Sequence, residues 1–208
     1  MSATRPSPGQ KDLPFSCRCG AVTGSLENVG PKSGDRYVCY CRDCRDAVRH
    51  LAHEEDVLDP AGGVSVYQTR VGKLRLESGK DRLACLNLTE KQTLRWYCGD
   101  CGTPLFTTMD TARWPFLSMV TAGCDPATRE EVLGSPRGSV FAAQATGPDV
   151  VTPPVSTFAM IRRVIARLFA DKFSGAGKRY PLFDPATLEP IATPRKLTAQ
   201  EKEALGRA

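Results

Sequence analysis

The feature that most constrains this chain is the spacing of its nine cysteines. Seven of them lie in three short clusters of the forms CxC, CxCxxC and CxxC, made by Cys17 and Cys19, by Cys39, Cys41 and Cys44, and by Cys98 and Cys101. The N-terminal residues contain no apolar segment of a secretory signal, so we expect a cytoplasmic protein with reduced thiols. Clustered cysteines in that setting indicate metal ligands or reactive thiols rather than disulfides.

The third cluster has the clearest signature of a zinc knuckle. Two cysteines of one tight turn can bind a single tetrahedral zinc. Gly102, which follows Cys101, has no Cβ and so allows the backbone to turn tightly there. A thioredoxin-like redox pair is the alternative, and it would lie between a strand and a helix. The strand-like residues and the proline that flank this cluster favour zinc.

Counting the thiols limits how the clusters can combine. Seven thiolates cannot fill two tetrahedral sites of four, so the simplest division is one closed four-cysteine site and one three-cysteine site with an open position. An open position is what catalytic zinc requires. Spacing alone does not tell which pairs join, and a nearest-neighbour pairing would combine Cys17 and Cys19 with Cys39 and Cys41.

The ordered segments FSCRCGAV, YVCYCRDCR and WYCGDCGTPLF resemble the glutathione-dependent formaldehyde-activating enzyme family, and also the zinc domain of centromere protein V. The resemblance covers about residues 14–125. It implies an all-β, zinc-pinned fold called a β-tent. It also implies two zinc ions per chain, a structural one held by Cys17, Cys19, Cys98 and Cys101, and a catalytic one held by Cys39, Cys41 and Cys44.

Strand-like composition recurs between turn residues, which is typical of a β-rich domain. The predicted strands are residues 21–29, 37–40, 64–69, 83–88, 93–97, 105–108, 116–121 and 139–143, and a short helix is predicted over residues 42–53. We therefore predict a mainly β fold: a zinc-pinned β-tent domain at residues 14–150, after a flexible leader at 1–13 and before a C-terminal helical extension at 151–208.

The extension is basic and contains an amphipathic helix. Residues 1–154 carry 18 basic and 18 acidic side chains, whereas residues 155–208 carry 10 and 5, so the net charge of +5 lies in the extension. We expect the apolar face of this helix to pack on the β domain or on a second subunit. A final short helix should begin at the capping box of Thr198 and Glu201. The apolar residues of the first helix are Phe158, Ile161, Val164, Ile165, Leu168 and Phe169.

The expected function follows from the open zinc position. A zinc ion stabilises a substrate thiol as thiolate at neutral pH. The resemblance implies a zinc-dependent carbon–sulfur lyase or synthase, which acts on an adduct of glutathione and formaldehyde such as S-hydroxymethylglutathione. Arg45 matches the family motif and is the candidate substrate contact, although an ordinary solvated helix face explains it as well. His50 or His53 could instead complete the second site and make it structural.

The competing hypothesis is a non-catalytic zinc module whose basic extension contacts nucleic acid or a protein partner. The neutral charge of the main domain counts against nucleic acid, and no apolar run reaches the roughly 18 residues of a membrane span. A small thiol such as glutathione is the expected partner, and homo-oligomerisation stays open. Cys85 and Cys124, outside the clusters, are expected to be small buried core residues.

Overall fold

The computed structural model describes residues 9–174 and 179–206, with side chains omitted at 170–174. Over those ranges the chain is mainly β, with a C-terminal helix, as predicted. Each of the eight predicted strands overlaps an observed one. The strands are β1 Lys11–Ser16, β2 Thr23–Val29, β3 Asp35–Cys39, β4 Val64–Arg70, β5 Leu74–Ser78, β6 Leu83–Asn87, β7 Thr93–Cys98, β8 Pro104–Met109, β9 Phe116–Val120, β10 Ser139–Val140 and β11 Arg195–Lys196.

Five helices accompany the strands in the same ranges: α1 Arg42–His50, α2 Glu54–Val57, α3 Pro126–Leu133, α4 Thr157–Ser174 and α5 Ala199–Ala204. The capping box predicted for α5 is present, because Thr198 and Glu201 each bond the other's backbone N–H. Of the predicted leader, residues 1–8 lie outside the described residues, and strand β1 already begins at Lys11. None of the described helices is long and apolar enough to cross a membrane.

The strands form two sheets that enclose the main core. The smaller sheet has the order β1-β2-β5, and the larger has the order β10-β3-β4-β9-β8-β7-β6-β11. Neighbouring strands are antiparallel except for the short edge strands β10 and β11, which run parallel to β3 and β6. Phe15 of the small sheet meets Phe106 of the large sheet edge to face, with ring centroids 5.2 Å apart. Apolar side chains on facing strands therefore hold the two sheets together.

The opposite face of the large sheet carries helix α1. Ala47 of α1 packs with Leu86 and Leu88 from the β6 region, while Val48 packs with residues of β3 and β4. The helix starts directly after β3, because Cys41 takes an extended conformation and caps the first turn. This short connection places the second cysteine cluster at the junction between sheet and helix.

The C-terminal extension adds residues to the main domain at several points. Leu182 and Phe183 are buried in the core between the sheets, and the Phe183 ring lies 6.1 Å from that of Trp96. Strand β11 pairs with β6 at the edge of the large sheet. The extension is thus attached to the β domain by buried side chains as well as by backbone hydrogen bonds.

Helix α4 contacts the β domain through Met160 and two arginines, and four of the six apolar residues predicted for its packing face are exposed. Arg163 and Arg167 reach inward to Asp35, a carboxylate that is only 1% exposed at the start of β3. The two arginines orient the helix so that its most apolar side points outward. The β domain therefore does not cover Phe158, Ile161, Ile165 and Phe169, all of which are exposed.

Candidate metal centres

Four cysteines from two distant hairpin regions converge at one end of the molecule. Cys17 and Cys19 lie in the turn between β1 and β2, while Cys98 and Cys101 lie in the turn between β7 and β8. Their sulfur atoms all lie within 4.8 Å of one another. The Sγ atoms of Cys17 and Cys19 are 3.5 Å apart, and those of Cys19 and Cys98 are 3.8 Å apart. This group, which we call the four-cysteine group, can hold a metal ion.

Each turn of the four-cysteine group uses a left-handed glycine. Gly20 follows Cys19 with φ 76°, and Gly102 follows Cys101 with φ 73°. A residue with a Cβ is strained at such φ values, so glycine allows the chain to turn tightly enough for both cysteines to face one point. The turn beginning at Cys98 is closed by a hydrogen bond from Gly102 N–H to Cys98 O of 2.8 Å.

Hydrogen bonds reach two sulfur atoms of this group and stabilise the thiolate form of Cys101. The N–H of Val22 donates to Cys17 Sγ at 3.2 Å, and the hydroxyl of Thr103 lies 3.0 Å from Cys101 Sγ. Burial alone would raise the pKa of Cys101, but hydrogen bonds from the Thr103 hydroxyl and backbone lower it to about 6. A thiol with that pKa is ready to act as a thiolate ligand at neutral pH.

Three cysteines form a second group where β3 meets α1. Cys39 ends the strand, Cys41 caps the helix and Cys44 lies in its first turn, with all three sulfur atoms within 4.8 Å of one another. The Sγ atoms of Cys39 and Cys41 are 3.4 Å apart, and Cys44 N–H lies 3.4 Å from Cys41 Sγ. We call this the three-cysteine group. The change from strand to helix explains how a CxCxxC spacing brings three sulfurs to one point.

Arg95 supplies a positive charge to the three-cysteine group, and no sequence pattern predicted this contact. It lies on β7, where its Nη1 atom donates to Cys44 Sγ at 3.5 Å and to Thr107 Oγ1 at 2.7 Å. The pKa of Cys44 is lowered well below its usual value by hydrogen bonds from the thiols of Cys39 and Cys41, and the charge of Arg95 lowers it further. No motif marks Arg95, because only the cross-strand pairing with Thr107 and the packing of α1 bring it here.

Neither histidine joins the three-cysteine group. His50 Nε2 lies 2.6 Å from an Arg195 nitrogen, on the side of α1 that faces the C-terminal segment. His53 is buried beside the four-cysteine group, where its Nε2 donates to Cys101 O at 2.9 Å and its Nδ1 lies 3.1 Å from Asp56 Oδ2. Among the residues whose side chains the structure describes, no histidine, cysteine or carboxylate makes a fourth member of the three-cysteine group.

Arg45 is buried and bonded to main-chain oxygens. Its Nη1 donates to Tyr40 O at 3.3 Å and to Gln144 O at 3.0 Å, so the guanidinium joins the start of α1 to the loop after β10. The Nε of Arg45 is buried and has no hydrogen-bond partner among the described residues. In this arrangement Arg45 supports the segment that carries the three cysteines.

The remaining candidate residues have structural surroundings. Cys85 and Cys124 are buried, at 1% and 5% exposure, and burial raises the pKa of each thiol to about 12, as expected for core residues.

Several arginines of the extension are paired with acids. Besides the two on Asp35, Arg179 contacts Glu27 and Arg195 contacts Glu201. Part of the basic charge predicted for the extension is therefore paired with acidic side chains.

Comparison with known proteins assigns the chain to a family without an assigned function. Residues 10–184 match DUF6151, described as a family of unknown function. The chain belongs to this family. A crystal structure of a Rhodobacter sphaeroides protein is similar at 21% identity and a TM-score of 0.39, over 58% of this chain and 98% of that one. No curated protein matches. The family description and the structure's title name no activity or ligand.

Proposed function

We propose that this protein is a zinc-dependent carbon–sulfur lyase that forms or cleaves the adduct of a small thiol with an aldehyde. The observation that carries the proposal is the three-cysteine group, which has no fourth ligand in the described part of the chain. The same chain contains a complete four-cysteine group. This division into a closed set and an open set is the pattern that separates structural from catalytic zinc.

The donor atoms of both groups suit zinc. Thiolate sulfur is a soft ligand that selects zinc over magnesium or calcium, and the sulfurs of each group already lie within 4.8 Å of one another. Cys17, Cys19, Cys98 and Cys101 would hold the structural ion, and Cys39, Cys41 and Cys44 would hold the catalytic one. When bound, zinc with three thiolates supplies a coordination position at which a substrate thiol binds as thiolate.

Arg95 gives the three-cysteine group a fixed positive charge. Three thiolates and a substrate thiolate together carry more negative charge than one divalent ion neutralises, and water screens little of it where the ligands are buried. Cys39 is 6% exposed, and the Arg95 guanidinium donates directly to Cys44. Arg95 therefore favours the thiolate form of the ligands and holds Cys44 in place.

The proposed reaction needs no redox partner. In the forward direction the thiol sulfur forms a bond to the carbonyl carbon, and the thiol proton ends on the carbonyl oxygen as a hydroxyl. Cleavage reverses both changes. The choice of glutathione and formaldehyde rests on the resemblance of the three cysteine motifs to the formaldehyde-activating family. We assign Arg45 to the support of helix α1, because its Nη1 atom already donates to two carbonyls.

The proposal is tested by zinc content and by exchange kinetics on the same preparations. Native mass spectrometry of the parent should show two zinc ions per chain, and Cys41→Ser should show one. In the parent, but not in Cys41→Ser, NMR exchange spectroscopy should show faster interconversion of glutathione, formaldehyde and their adduct than in buffer.

Cys124→Ser is the matched control, because it removes a buried thiol outside both groups. It should keep two zinc ions and the parental exchange rate. A parent that binds two zinc ions yet leaves the exchange rate of every thiol tried at the buffer value would refute the lyase proposal. Zinc absent from both groups would refute the metal assignment itself.

A further inference from the structure

Helix α4 carries a row of large apolar side chains that faces away from the β domain. Phe158 is 77% exposed, Ile161 46%, Ile165 42% and Phe169 56%. Their spacing of three, four and four residues places them on one side of a helix. We call these four residues the apolar ridge. Isolated exposed apolar residues are ordinary, but a continuous row on one helix indicates a binding surface.

The orientation of the ridge is fixed by contacts on the inner side of the helix. Arg163 Nε and Arg167 Nη1 lie 2.9 Å and 2.5 Å from the same oxygen of Asp35, and Met160 packs against the core cluster of β3 and β4. Burial alone would raise the pKa of Asp35, but these two arginines lower it to about 2, so the carboxylate is ionised at neutral pH. The helix cannot rotate to bury the ridge without breaking these buried ion pairs.

The ridge is large enough to contribute substantially to a protein interface. An aromatic side chain offers about 150–250 Å² of surface, so the four residues expose on the order of 400 Å². The largest apolar patch of a typical monomer is about 300–600 Å², and each partner in a standard interface buries about 800 Å². The ridge alone therefore supplies about half of one side of such an interface.

The charges around α4 favour an apolar partner over an anionic one. A helix that binds an anionic membrane surface or nucleic acid needs its cations beside the apolar face or along it. Arg163 and Arg167 instead turn inward to Asp35, which leaves one exposed arginine, Arg162, beside the ridge within the first three turns of α4. The outer side of the helix is thus mainly apolar.

The order of residues in the ridge is the same in both directions, namely Phe, Ile, Ile, Phe. A two-fold interface requires that residue i of one copy contacts residue j of the other while j contacts i. When two α4 helices lie antiparallel with Phe158 beside the other copy's Phe169, Ile161 and the other copy's Ile165 lie near the centre, one residue or about 1.5 Å away from direct opposition. Large side chains then pack at the ends, and β-branched ones interdigitate in the middle.

From this symmetry, the exposed area and the inward arginines, we infer that α4 is a homodimer interface, in which the apolar ridges of two copies pack antiparallel about a two-fold axis. The proposal concerns a surface separate from both cysteine groups. The proposal is tested by measuring whether the full chain forms a dimer, and this measurement does not require enzymatic activity.

Sedimentation velocity of the full chain over a range of concentrations measures the dimer Kd. Ile165→Asp places a charge at the centre of the ridge and should raise the Kd by about 30-fold or more, as loss of a central interface side chain does. Ala166→Asp is the matched control. It puts the same charge on the next residue of the same helix, where the side chain is exposed but lies outside the ridge, and it should keep the parental Kd.

The antiparallel register has its own test. Phe158→Lys alone and Phe169→Glu alone should each weaken the dimer, whereas the double variant places Lys opposite Glu at both ends and should recover association relative to either single variant. A parallel pair would instead oppose Lys with Lys. A chain that is monomeric at all concentrations, or a dimer unaffected by Ile165→Asp, would overturn the proposal. So would a monomer that binds vesicles of anionic lipid through the ridge, because that result would assign the surface to membrane.

Discussion

The two cysteine groups differ in how their surroundings compensate the charge of sulfur. In the four-cysteine group, Cys19 is exposed, and the sulfur neighbours include a backbone N–H and the Thr103 hydroxyl. In the three-cysteine group every member is buried or half-buried, and a guanidinium donates directly to Cys44. Water reaches the first site at Cys19, whereas the second site has a fixed cation beside Cys44. The comparison teaches that Arg95 belongs to the second site as much as its thiols do.

The largest effect should come from breaking the four-cysteine group. Cys98→Ser removes a buried cysteine of this group, at the end of β7. We expect the loss of one zinc ion and a fall of about 3 kcal/mol or more in the free energy of unfolding, because metal binding contributes directly to folding.

Cys41→Ser should also lose one zinc ion, but with a smaller fall in the free energy of unfolding, because its group lies within a single strand–helix junction. Urea unfolding followed by circular dichroism, together with zinc analysis, measures both variants. Equal losses of stability would contradict the division into a structural and a functional group.

Removing the positive charge of Arg95 tests how far the three-cysteine group depends on it. Arg95→Met deletes the charge that faces Cys44, and we expect the zinc affinity of the three-cysteine group to fall about 10- to 100-fold, as for other supporting residues of metal ligands. Competition with a chromophoric chelator measures it. Arg82→Met is the control, since Arg82 contacts Asp100 beside the four-cysteine group at the exposed surface, and neither affinity should change by more than about twofold.

The two cysteine groups and the ion pairs that hold α4 should lose their contributions to stability at different pH values. The folded pKa of Asp35 is lowered from 3.8 to about 2. Ionised Asp35 thus stabilises the fold above pH about 4, and this contribution of about 2 kcal/mol disappears as the pH falls to about 2. Zinc should be lost at a higher pH than the one at which Asp35 is protonated, because protons already compete with the metal for the thiolates there.

Urea unfolding at a series of pH values should therefore show metal loss first and the Asp35 contribution second. Asp35→Asn should remove the second step while leaving the first unchanged. A single step shared by the parent and the variant would show that Asp35 adds nothing to stability.

The smallest effect should come from the histidines. His53→Ala leaves the buried Cys101 carbonyl without its donor, so we expect a loss of about 1 kcal/mol in the free energy of unfolding. His50→Ala should cost less than about 0.5 kcal/mol. Zinc analysis of both variants should still show two ions per chain. Loss of an ion from the three-cysteine group in either variant would mean that a histidine completes that site.

The sequence predicted the larger sheet better than the smaller one. Strands β1 and β5 were missed, and both are edge strands of the three-stranded sheet. In β1 the buried Leu13 and Phe15 alternate with charged residues and with Pro14, which an edge strand tolerates but which weakens the strand pattern. Helix α3 was also missed, although Asp125 as N-cap, Pro126 and Gly134 are ordinary helix boundaries.

The cysteine clusters could be found in the sequence, but their grouping could not. Spacing left open whether Cys17 and Cys19 join the second or the third cluster, because that choice depends on which hairpin turns lie side by side. The structure brings the first and third clusters together. Arg95 was beyond prediction for the same reason. Its contact with Cys44 arises from sheet pairing and helix packing between residues 51 positions apart.

The separation of 79 positions between Cys19 and Cys98 imposes an order on biosynthesis. The ribosome adds about 5–20 residues per second, so the two halves of the four-cysteine group emerge about 4–16 s apart. Cys39, Cys41 and Cys44 emerge almost together, well before Cys98. During translation the three-cysteine group is thus complete first, and Cys17 and Cys19 lack their two partner cysteines until the β7–β8 turn is made.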